Sequence, residues 1–208
     1  MITIVDSGIA NLGSVLAAFR RVGAETRVTR SAADVESASA LVLPGVGAFK
    51  DGMDSLRQHG LAEPLRQAVG RGTPILGICL GLQLLADASE EFGTHDGLGL
   101  VRGRVVRLAP RNAGERVPNI GWCDVRVKPN ARVFVGVPTG SCYFVHSYYL
   151  RCAQASDAVA WIEFGGGPVT AAVERGNVFG TQFHPEKSQD IGLAVLHNYV
   201  RIADTIPT

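Results

Sequence analysis

The first half of the chain alternates short apolar runs with longer stretches in which apolar residues recur every three or four positions. Runs at residues 2–5 and 74–78 predict buried strands, and the spacing of Leu12, Val15 and Phe19 predicts an amphipathic helix over residues 11–22. Similar patterns predict strands at 25–28 and 40–43 and helices over 50–59, 61–69 and 80–88. A further short helix is predicted to begin at the capping box in residues 31–34. Because helices separate these strands, we expect parallel pairing in an open, doubly wound sheet.

The second half changes to short segments of alternating polarity with Gly-rich turns between them. The segments predict antiparallel strands at residues 103–108, 122–127, 143–149, 158–164, 170–174 and 178–183. An amphipathic helix is predicted over residues 189–201. We therefore expect one α/β domain over residues 1–208, a three-layer sandwich with a mixed, largely parallel central sheet. Ligands of such sheets bind beyond the carboxyl ends of the strands, where the 44–47 turn, Cys79 and His184 should meet.

Composition supports a folded protein and narrows its partners. The chain has 208 residues, of which 46% are hydrophobic, and this suits one domain with a sizeable core. Its 20 Lys and Arg residues nearly balance its 19 Asp and Glu residues, which argues against nucleic acid or an anionic membrane as the main partner. Neither a signal peptide nor a membrane-spanning run is visible, and the four cysteines lack zinc-site spacing. We expect a cytoplasmic protein that needs no metal or cofactor.

The sharpest local signal is the segment Gly-Ile-Cys-Leu-Gly at residues 77–81, which follows a predicted strand and opens a predicted helix. This arrangement is typical of a nucleophile elbow, here with Cys79 in place of serine. Flanking glycines permit a strained backbone at the nucleophile, and the start of the following helix favours a thiolate. The alternative is a buried structural cysteine, which is the usual place of a free thiol.

A cysteine nucleophile needs a base, and His184 is the best candidate among five histidines. His184 lies in the segment Phe-His-Pro-Glu, so that Glu186 can point the same way if the segment is extended. A carboxylate beside the imidazole would fix its tautomer and stabilise the imidazolium, as in a Cys–His–Glu relay. His59, His95 and His197 are expected to be surface or structural residues. On its own the His-Pro-Glu segment is weak evidence, since a loop histidine beside an acid is common.

Together these motifs resemble the class I (triad) glutamine amidotransferases. The resemblance rests on Gly-Ile-Cys-Leu-Gly-Leu-Gln at 77–83, Phe-His-Pro-Glu at 183–186 and a Pro-Gly-Val-Gly turn at 44–47, in the order that the family has. It implies a glutaminase that hydrolyses the side-chain amide of L-glutamine to glutamate and ammonia. In that reaction Cys79 would attack, His184 would transfer the proton and Glu186 would orient the histidine.

The resemblance also implies residues around this triad. The oxyanion hole would be formed by Val46, Gly47 and Leu80, the first two after a peptide flip that a neighbouring glycine makes easy. The substrate glutamine would contact Gly47, Gln83, Ser147 and Tyr148. For the glycines of the 44–47 segment an ordinary tight turn remains an alternative.

Within the family, several segments are similar to the glutaminase subunits of imidazole glycerol phosphate synthases. They include Asp-x-Gly-x-x-Asn at 6–11, Pro-Asn-Ile-Gly-Trp at 118–122, Tyr-Phe-Val-His-Ser-Tyr at 143–148 and Gln-Phe-His-Pro-Glu-Lys-Ser at 182–188. This similarity implies a heterodimer with a TIM-barrel cyclase subunit that receives the ammonia, in histidine biosynthesis. The residues expected toward the partner and the ammonia exit are Asn11, Trp122, Tyr143, His146 and Lys187. For the two aromatic residues, core packing is an alternative, and Lys187 could be a solvated surface charge.

Three other functions stay open at this point. A stand-alone cysteine hydrolase or peptidase would use the same elbow without a preference for glutamine. A non-catalytic binding module could keep the fold, although the intact Cys79, His184 and Glu186 argue against it. A glutaminase that feeds a different synthase is the nearest alternative, separated mainly by the 118–122 and 143–148 segments.

Overall fold

The computed structural model describes residues 1–205 and arranges them in two sheets with helices packed around them. The strands are β1 (Ile2–Val5), β2 (Thr26–Thr29), β3 (Leu41–Gly45), β4 (Ile75–Cys79), β5 (Ala86–Ser89), β6 (His95–Asp96), β7 (Val101–Arg107), β8 (Asn119–Val127), β9 (Gly140–His146), β10 (Tyr148–Cys152), β11 (Ala158–Phe164), β12 (Gly167–Arg175) and β13 (Val178–Thr181). The α-helices are α1 (Leu12–Arg21), α2 (Ala32–Glu36), α3 (Phe49–Gln58), α4 (Ala62–Gly70), α5 (Leu80–Leu84) and α6 (Gln189–Thr205), and short 3-10 helices cover Arg132–Phe134 and Pro185–Lys187.

The large sheet has nine strands in the order β2-β1-β3-β4-β13-β12-β11-β8-β9. The first five of these run parallel, and every pairing from β13 to β9 is antiparallel. This confirms the expected mixed sheet. Four strands of its parallel half come from the first part of the chain, and the fifth is β13, which pairs antiparallel with β12 as expected but parallel with β4, which was not expected. Strands β3 and β4 lie at its centre and are buried along their whole length, as their continuous apolar sequences predict.

Helices cover the sheet on both sides, and each side has its own apolar core. On one side Phe19 of α1 and Tyr199 of α6 are fully buried against the sheet. On the other side Leu56 of α3 and Leu65 of α4 are fully buried with the leucines of α5. The expected layered α/β architecture is therefore confirmed. Among residues 1–205, no helix combines the length and the apolar character that crossing a membrane would need.

The helix expected over residues 80–88 is wrong in its second half, because α5 ends at Leu84. The carbonyl oxygen of Leu84 accepts a hydrogen bond from Leu98 N, and that of Leu85 accepts one from Val101 N. These carbonyls cannot continue the helical ladder, so the chain extends as β5 instead. Strand β5 joins a second sheet, of order β10-β7-β5-β6, which the sequence pattern did not predict.

The single strand expected over residues 143–149 is also wrong. The chain forms β9 up to His146 and β10 from Tyr148, and the two strands belong to different sheets. Ser147 stands at the break, and its carbonyl oxygen accepts a hydrogen bond from Leu108 N at 2.8 Å. A continuous run of β-forming residues carries no sign of a change of partner strand, which explains the error. The remaining predicted elements differ from the observed ones mainly at their ends.

Candidate active site

Cys79 is the last residue of β4 and lies in a conformation that side chains rarely adopt, with φ of 54° and ψ of −109°. The backbone turns there directly into α5. The flanking glycines are required by space: a Cβ at Gly81 would lie 1.7 Å from the carbonyl oxygen of Leu43, and one at Gly77 would lie 2.7 Å from Cα of Leu82. This close packing fixes the backbone in the predicted elbow conformation. Cys79 is largely buried, with 6% of its surface exposed.

His184 and Glu186 form a buried pair beside this elbow. Nδ1 of His184 lies 2.7 Å from Oε1 of Glu186, and both side chains are 3% exposed. The extended conformation expected for this segment is wrong, since Pro185–Lys187 is a 3-10 helix. The expected contact is nevertheless present, because the turn begins at His184 and keeps the two side chains together. The pair also has a backbone support, since His184 N donates to the carbonyl of Tyr143 on β9 at 3.0 Å.

The environment of His184 favours its protonated form. Burial alone would lower its pKa, but the interactions with Cys79 and Glu186 outweigh burial and raise the pKa of His184 to about 9. Nε2 of His184 is buried and has no hydrogen-bond partner of good geometry among the described residues. Its interaction with Cys79 therefore does not have hydrogen-bond geometry here, and such contacts commonly tighten when substrate binds. The Glu186 carboxylate is close enough to hold the positive charge on the imidazole.

A cleft of about 270 Å³ opens over Cys79 and His184. Of the residues singled out from the sequence, those that line it are Val46, Gly47, Cys79, Leu80, Gln83, His146, Ser147, Tyr148 and His184. Three larger cavities, of about 550, 540 and 540 Å³, are lined by no cysteine or histidine. We therefore take the smaller cleft as the candidate active site, because it contains Cys79 and His184, although other cavities have a larger volume. Among residues 1–205 no group of three or more His, Cys, Asp or Glu residues is arranged to hold a metal ion.

The turn after β3 supplies one wall of the cleft in a particular conformation. Val46 N donates to the carbonyl oxygen of Ile9 at 2.8 Å, so this amide is already used. Gly47 has φ of +102°, which glycine adopts without strain. Leu80 N, in contrast, is the first amide of α5 and has no partner within that helix. Of the oxyanion amides expected from the sequence, that of Val46 is therefore occupied by Ile9, whereas no hydrogen bond from the Leu80 amide is observed among the described residues.

Gln83 is buried and held in one orientation. Its Nε2 donates to the carbonyl oxygen of Tyr148 at 2.8 Å and to Oε1 of Gln182 at 3.1 Å. A side-chain amide has two N–H groups, and both are used by these bonds. Gln83 therefore offers the cleft an acceptor, its Oε1, and not a donor.

Sequence reasoning missed Glu91, which also lines the cleft. The carboxylate reaches the site from the loop between β5 and β6, and its Oε2 accepts a hydrogen bond from Phe49 N at 2.7 Å. It thereby caps the helix α3 that follows the Val46–Gly47 turn. No motif marks Glu91, because its position depends on the second sheet, which the sequence did not predict.

Beside the cleft mouth, strands β8 and β9 present an apolar surface. Ile120 is 61% exposed and Trp122 is 49% exposed, so core packing of this tryptophan is excluded. Trp122 pairs with Tyr143 across the strands, with ring centroids 6.0 Å apart, and Nζ of Lys187 lies 5.8 Å from the Tyr143 ring. Asn11 is exposed as well, at the start of α1. We call Ile120, Trp122, Tyr143 and Lys187 the β8–β9 face.

His146 differs from the other residues expected at the partner surface, since it is 5% exposed and lies in the cleft wall. Burial lowers its pKa to about 4, and the neighbouring His184 acts in the same direction. Its Nδ1 lies 3.0 Å from the carbonyl oxygen of Tyr148. His146 is therefore a neutral, buried group in the cleft wall, and its expected place toward the ammonia exit stays a prediction.

Comparisons with known proteins agree with this geometry. The family model for "Glutamine amidotransferase class-I" matches residues 3–201. A protein of Syntrophotalea carbinolica named "Imidazole glycerol phosphate synthase subunit HisH" is 50% identical over 96% of this chain and 98% of its own. A protein of the same name from Geobacillus thermodenitrificans is 47% identical over 97% of this chain and 96% of its own.

Solved structures are similar in fold at lower sequence identity. One described as a glutamine amidotransferase has a TM-score of 0.77 at 21% identity, over 98% of this chain and 99% of its own. The structure of PurLQS from Thermotoga maritima has a TM-score of 0.75 at 21% identity, over 97% of both chains. At this level of identity the similarity supports the architecture alone.

Proposed function

The chain belongs to the class I glutamine amidotransferase family, and from that premise we propose that it is the glutaminase subunit of an imidazole glycerol phosphate synthase. The observation that carries the proposal is the strained Cys79 elbow opposite the buried His184–Glu186 pair in one cleft. The proteins named as this subunit are up to 50% identical over nearly the whole chain, which favours this synthase over another member of the family. We assign the activity to one domain that spans residues 1–208.

Hydrolysis begins with attack of Cys79 Sγ on the side-chain carbonyl carbon of glutamine. His184 already holds the proton before attack, as its raised pKa indicates, so Cys79 reacts as the thiolate; the carbon–sulfur bond forms and the carbonyl becomes an oxyanion. Glu186 stabilises the imidazolium through Nδ1, at the 2.7 Å distance observed. His184 then gives the proton to the departing nitrogen, the carbon–nitrogen bond breaks, and ammonia leaves a glutamyl thioester on Cys79.

The second half of the reaction uses the same residues in the reverse order. His184 takes a proton from water, whose oxygen attacks the thioester carbon. The carbon–sulfur bond breaks, glutamate leaves, and the Cys79 thiolate is restored beside the protonated His184. Amides of Leu80 and, after rotation of the turn, of Val46 or Gly47 stabilise both oxyanions.

The other cleft residues recognise the substrate. Gly47, Ser147 and Tyr148 line the space beside Cys79, and Gln83 offers an acceptor to the substrate's N–H groups. Glu91 places a negative charge in the same space, and we assign it to the α-ammonium group of glutamine. The α-ammonium distinguishes a free amino acid from a glutamine within a peptide, so this assignment also favours a glutaminase over a peptidase.

The partner in this proposal is a TIM-barrel cyclase subunit, which binds the β8–β9 face in a cytoplasmic heterodimer. The exposed Ile120 and Trp122 next to the cleft mouth are the kind of apolar residues that anchor protein interfaces. Ammonia that passes directly into the partner escapes protonation in water and stays a nucleophile. There it converts the ribulosylamino ribotide intermediate into imidazole glycerol phosphate and aminoimidazole carboxamide ribotide, a step of histidine biosynthesis.

The decisive experiment compares wild type with Cys79→Ala in the reconstituted complex, with glutamine or ammonium chloride as nitrogen source. We expect wild type to form imidazole glycerol phosphate from both sources and to release glutamate from glutamine. Cys79→Ala should lose the glutamine-dependent reaction and keep the ammonia-dependent one, because the cyclase chemistry lies on the other subunit. Wild-type glutamate release only with a different synthase would contradict the assigned partner, and hydrolysis of peptides without glutamine would contradict the glutaminase.

A further inference from the structure

We propose that Gln182 is a positioning residue that links the nucleophile to the substrate site, because its side-chain amide contacts both Cys79 and Gln83. The inference rests on the proposed glutaminase function and assigns a role to a residue that neither the triad nor the substrate contacts include. Gln182 follows β13 directly, two residues before His184.

The contacts of Gln182 lie wholly inside the protein. The residue has no exposed surface, and Gln83 is only 5% exposed. Nε2 of Gln182 lies 3.7 Å from Sγ of Cys79, and its Oε1 accepts the 3.1 Å hydrogen bond from Nε2 of Gln83. The backbone of Gln182 is fixed as well, since its N–H donates to the carbonyl oxygen of Ala171 at 2.8 Å. The side chain thus bridges two functional groups from a rigid strand end.

The orientation of the Gln182 amide follows from its neighbours. One N–H of Gln83 must donate to the carbonyl of Tyr148, so the other faces Gln182. If the Gln182 amide were rotated by half a turn, its NH₂ group would face that N–H, and two donors would meet without an acceptor. The backbone carbonyl of Tyr148 therefore determines, through Gln83, that Gln182 presents a donor to Cys79.

A donor at this place stabilises a thiolate more than a thiol, because a hydrogen bond to a charged acceptor is the stronger one. The other titratable groups around Cys79 are His184 with Glu186 behind it, and His146, Tyr148 and Glu91 along the cleft. His184 must exchange its proton in every cycle, whereas the Gln182 amide keeps its N–H at every working pH. Gln182 can therefore hold the sulfur while His184 changes charge.

Two substitutions separate the two contacts. Gln182→Glu keeps an oxygen acceptor for Gln83 and removes the N–H that faces Cys79, while Gln182→Met removes both. Thr181→Val is the matched control, because Thr181 is a buried neighbour on the same strand whose hydroxyl has no hydrogen-bond partner among the described residues. Circular dichroism and complex formation with the partner establish folding of each variant.

The first measurement is the rate of Cys79 alkylation by iodoacetamide against pH in the full chain, followed by mass spectrometry of the Cys79 peptide. We expect the alkylation midpoint to rise by about one pH unit in Gln182→Met, which loses the N–H, and by more in Gln182→Glu, whose carboxylate also repels the thiolate, while that of Thr181→Val stays at the wild-type value. Unchanged midpoints in both Gln182 variants would overturn the proposal. This measurement uses no glutamine, so its result is independent of whether the assigned reaction and partner are correct.

The second measurement is glutamate release in the reconstituted complex. For Gln182→Glu we expect kcat to fall about tenfold with KM close to wild type, since the acceptor for Gln83 remains. For Gln182→Met we expect the same fall in kcat together with a higher KM. Equal effects of the two variants on KM would contradict the link to Gln83, and wild-type kinetics in both would contradict the role altogether.

Discussion

The amide nitrogen of Val46 donates a hydrogen bond to the carbonyl oxygen of Ile9, at a distance of 2.8 Å. Ile9 belongs to the segment between β1 and α1, so this bond joins two loops beside the cleft. While it exists, the Val46 amide cannot point at an oxyanion on the substrate. The His184–Glu186 pair is in place in this structure, whereas the Val46 amide is not available as an oxyanion donor.

The first prediction concerns the activity of the chain without its partner. We expect the isolated protein to release glutamate slowly, and the complex with the partner's ligand to release it about 10²–10³-fold faster, which is the effect of one oxyanion donor. A glutamate assay with Cys79→Ala as the blank measures both rates. Full activity of the isolated chain would show that the Ile9–Val46 bond does not limit the reaction.

The second prediction is a pH dependence of stability that arises from the His184–Glu186 pair. Interactions with Cys79 and Glu186 together raise the pKa of His184 from 6.5 to about 9, so they stabilise the fold fully below pH 6.5 and lose this effect as pH rises through 9. We expect Glu186→Gln to lower the free energy of unfolding by about 1–3 kcal/mol at pH 6 and by less at pH 10. Urea unfolding across this range measures the difference, and a difference that grows with pH would contradict the assignment.

The third prediction tests the assignment of Glu91 to the α-ammonium group. Glu91→Gln keeps an oxygen for the hydrogen bond to Phe49 N but removes the charge from the cleft. We expect KM for glutamine to rise about tenfold, with a smaller change in kcat, because a charge-assisted hydrogen bond to the bound substrate is lost. Glu90→Gln is the control, since Glu90 is exposed and pairs with Arg104 outside the cleft. A wild-type KM in Glu91→Gln would show that another group holds the ammonium.

The fourth prediction concerns the β8–β9 face. Trp122→Ala should weaken binding of the partner subunit about 30-fold, as expected for a central aromatic anchor, and leave the fold intact because the side chain is half exposed. Val135→Ala, which removes an exposed apolar side chain near α6, should bind as wild type. Isothermal titration calorimetry compares the affinities. Equal affinity of Trp122→Ala and wild type would place the partner on another surface.

Much of the fold follows from local sequence patterns. The strands β1, β3 and β4 are continuous apolar runs, and the glycines around Cys79 identify the elbow, because a Cβ at either position would collide with the backbone. The parallel pairing of β1, β2, β3 and β4 was predictable because helices separate these strands, whereas the parallel pairing of β13 with β4 was not, since β13 follows an antiparallel strand. The second sheet was not predictable either, because its strands pair across long stretches of chain, such as β7 with β10.

The site residues that lie in a sequence motif could be predicted, and those outside such motifs could not. Cys79, His184 and Glu186 lie in recognisable segments, whereas Glu91 and Gln182 act through contacts with distant residues. Gln182 was visible only as part of the segment before His184, and its contact with Gln83 joins residues 99 positions apart. The exposure of Trp122 could not be read from its type either, because aromatic residues serve both cores and interfaces.

The contact between Gly81 and β3 has a consequence for how this enzyme can be controlled. With only hydrogen on Gly81, the elbow lies directly against the carbonyl of Leu43, and β3 is paired with β4 along its whole length, so the packing fixes the nucleophile against both strands. The freedom to change shape is left to the peptides that follow Gly45. An activating signal therefore needs to reorient only the backbone around Val46. The side chains of the triad can keep their positions in both the inactive and the active enzyme.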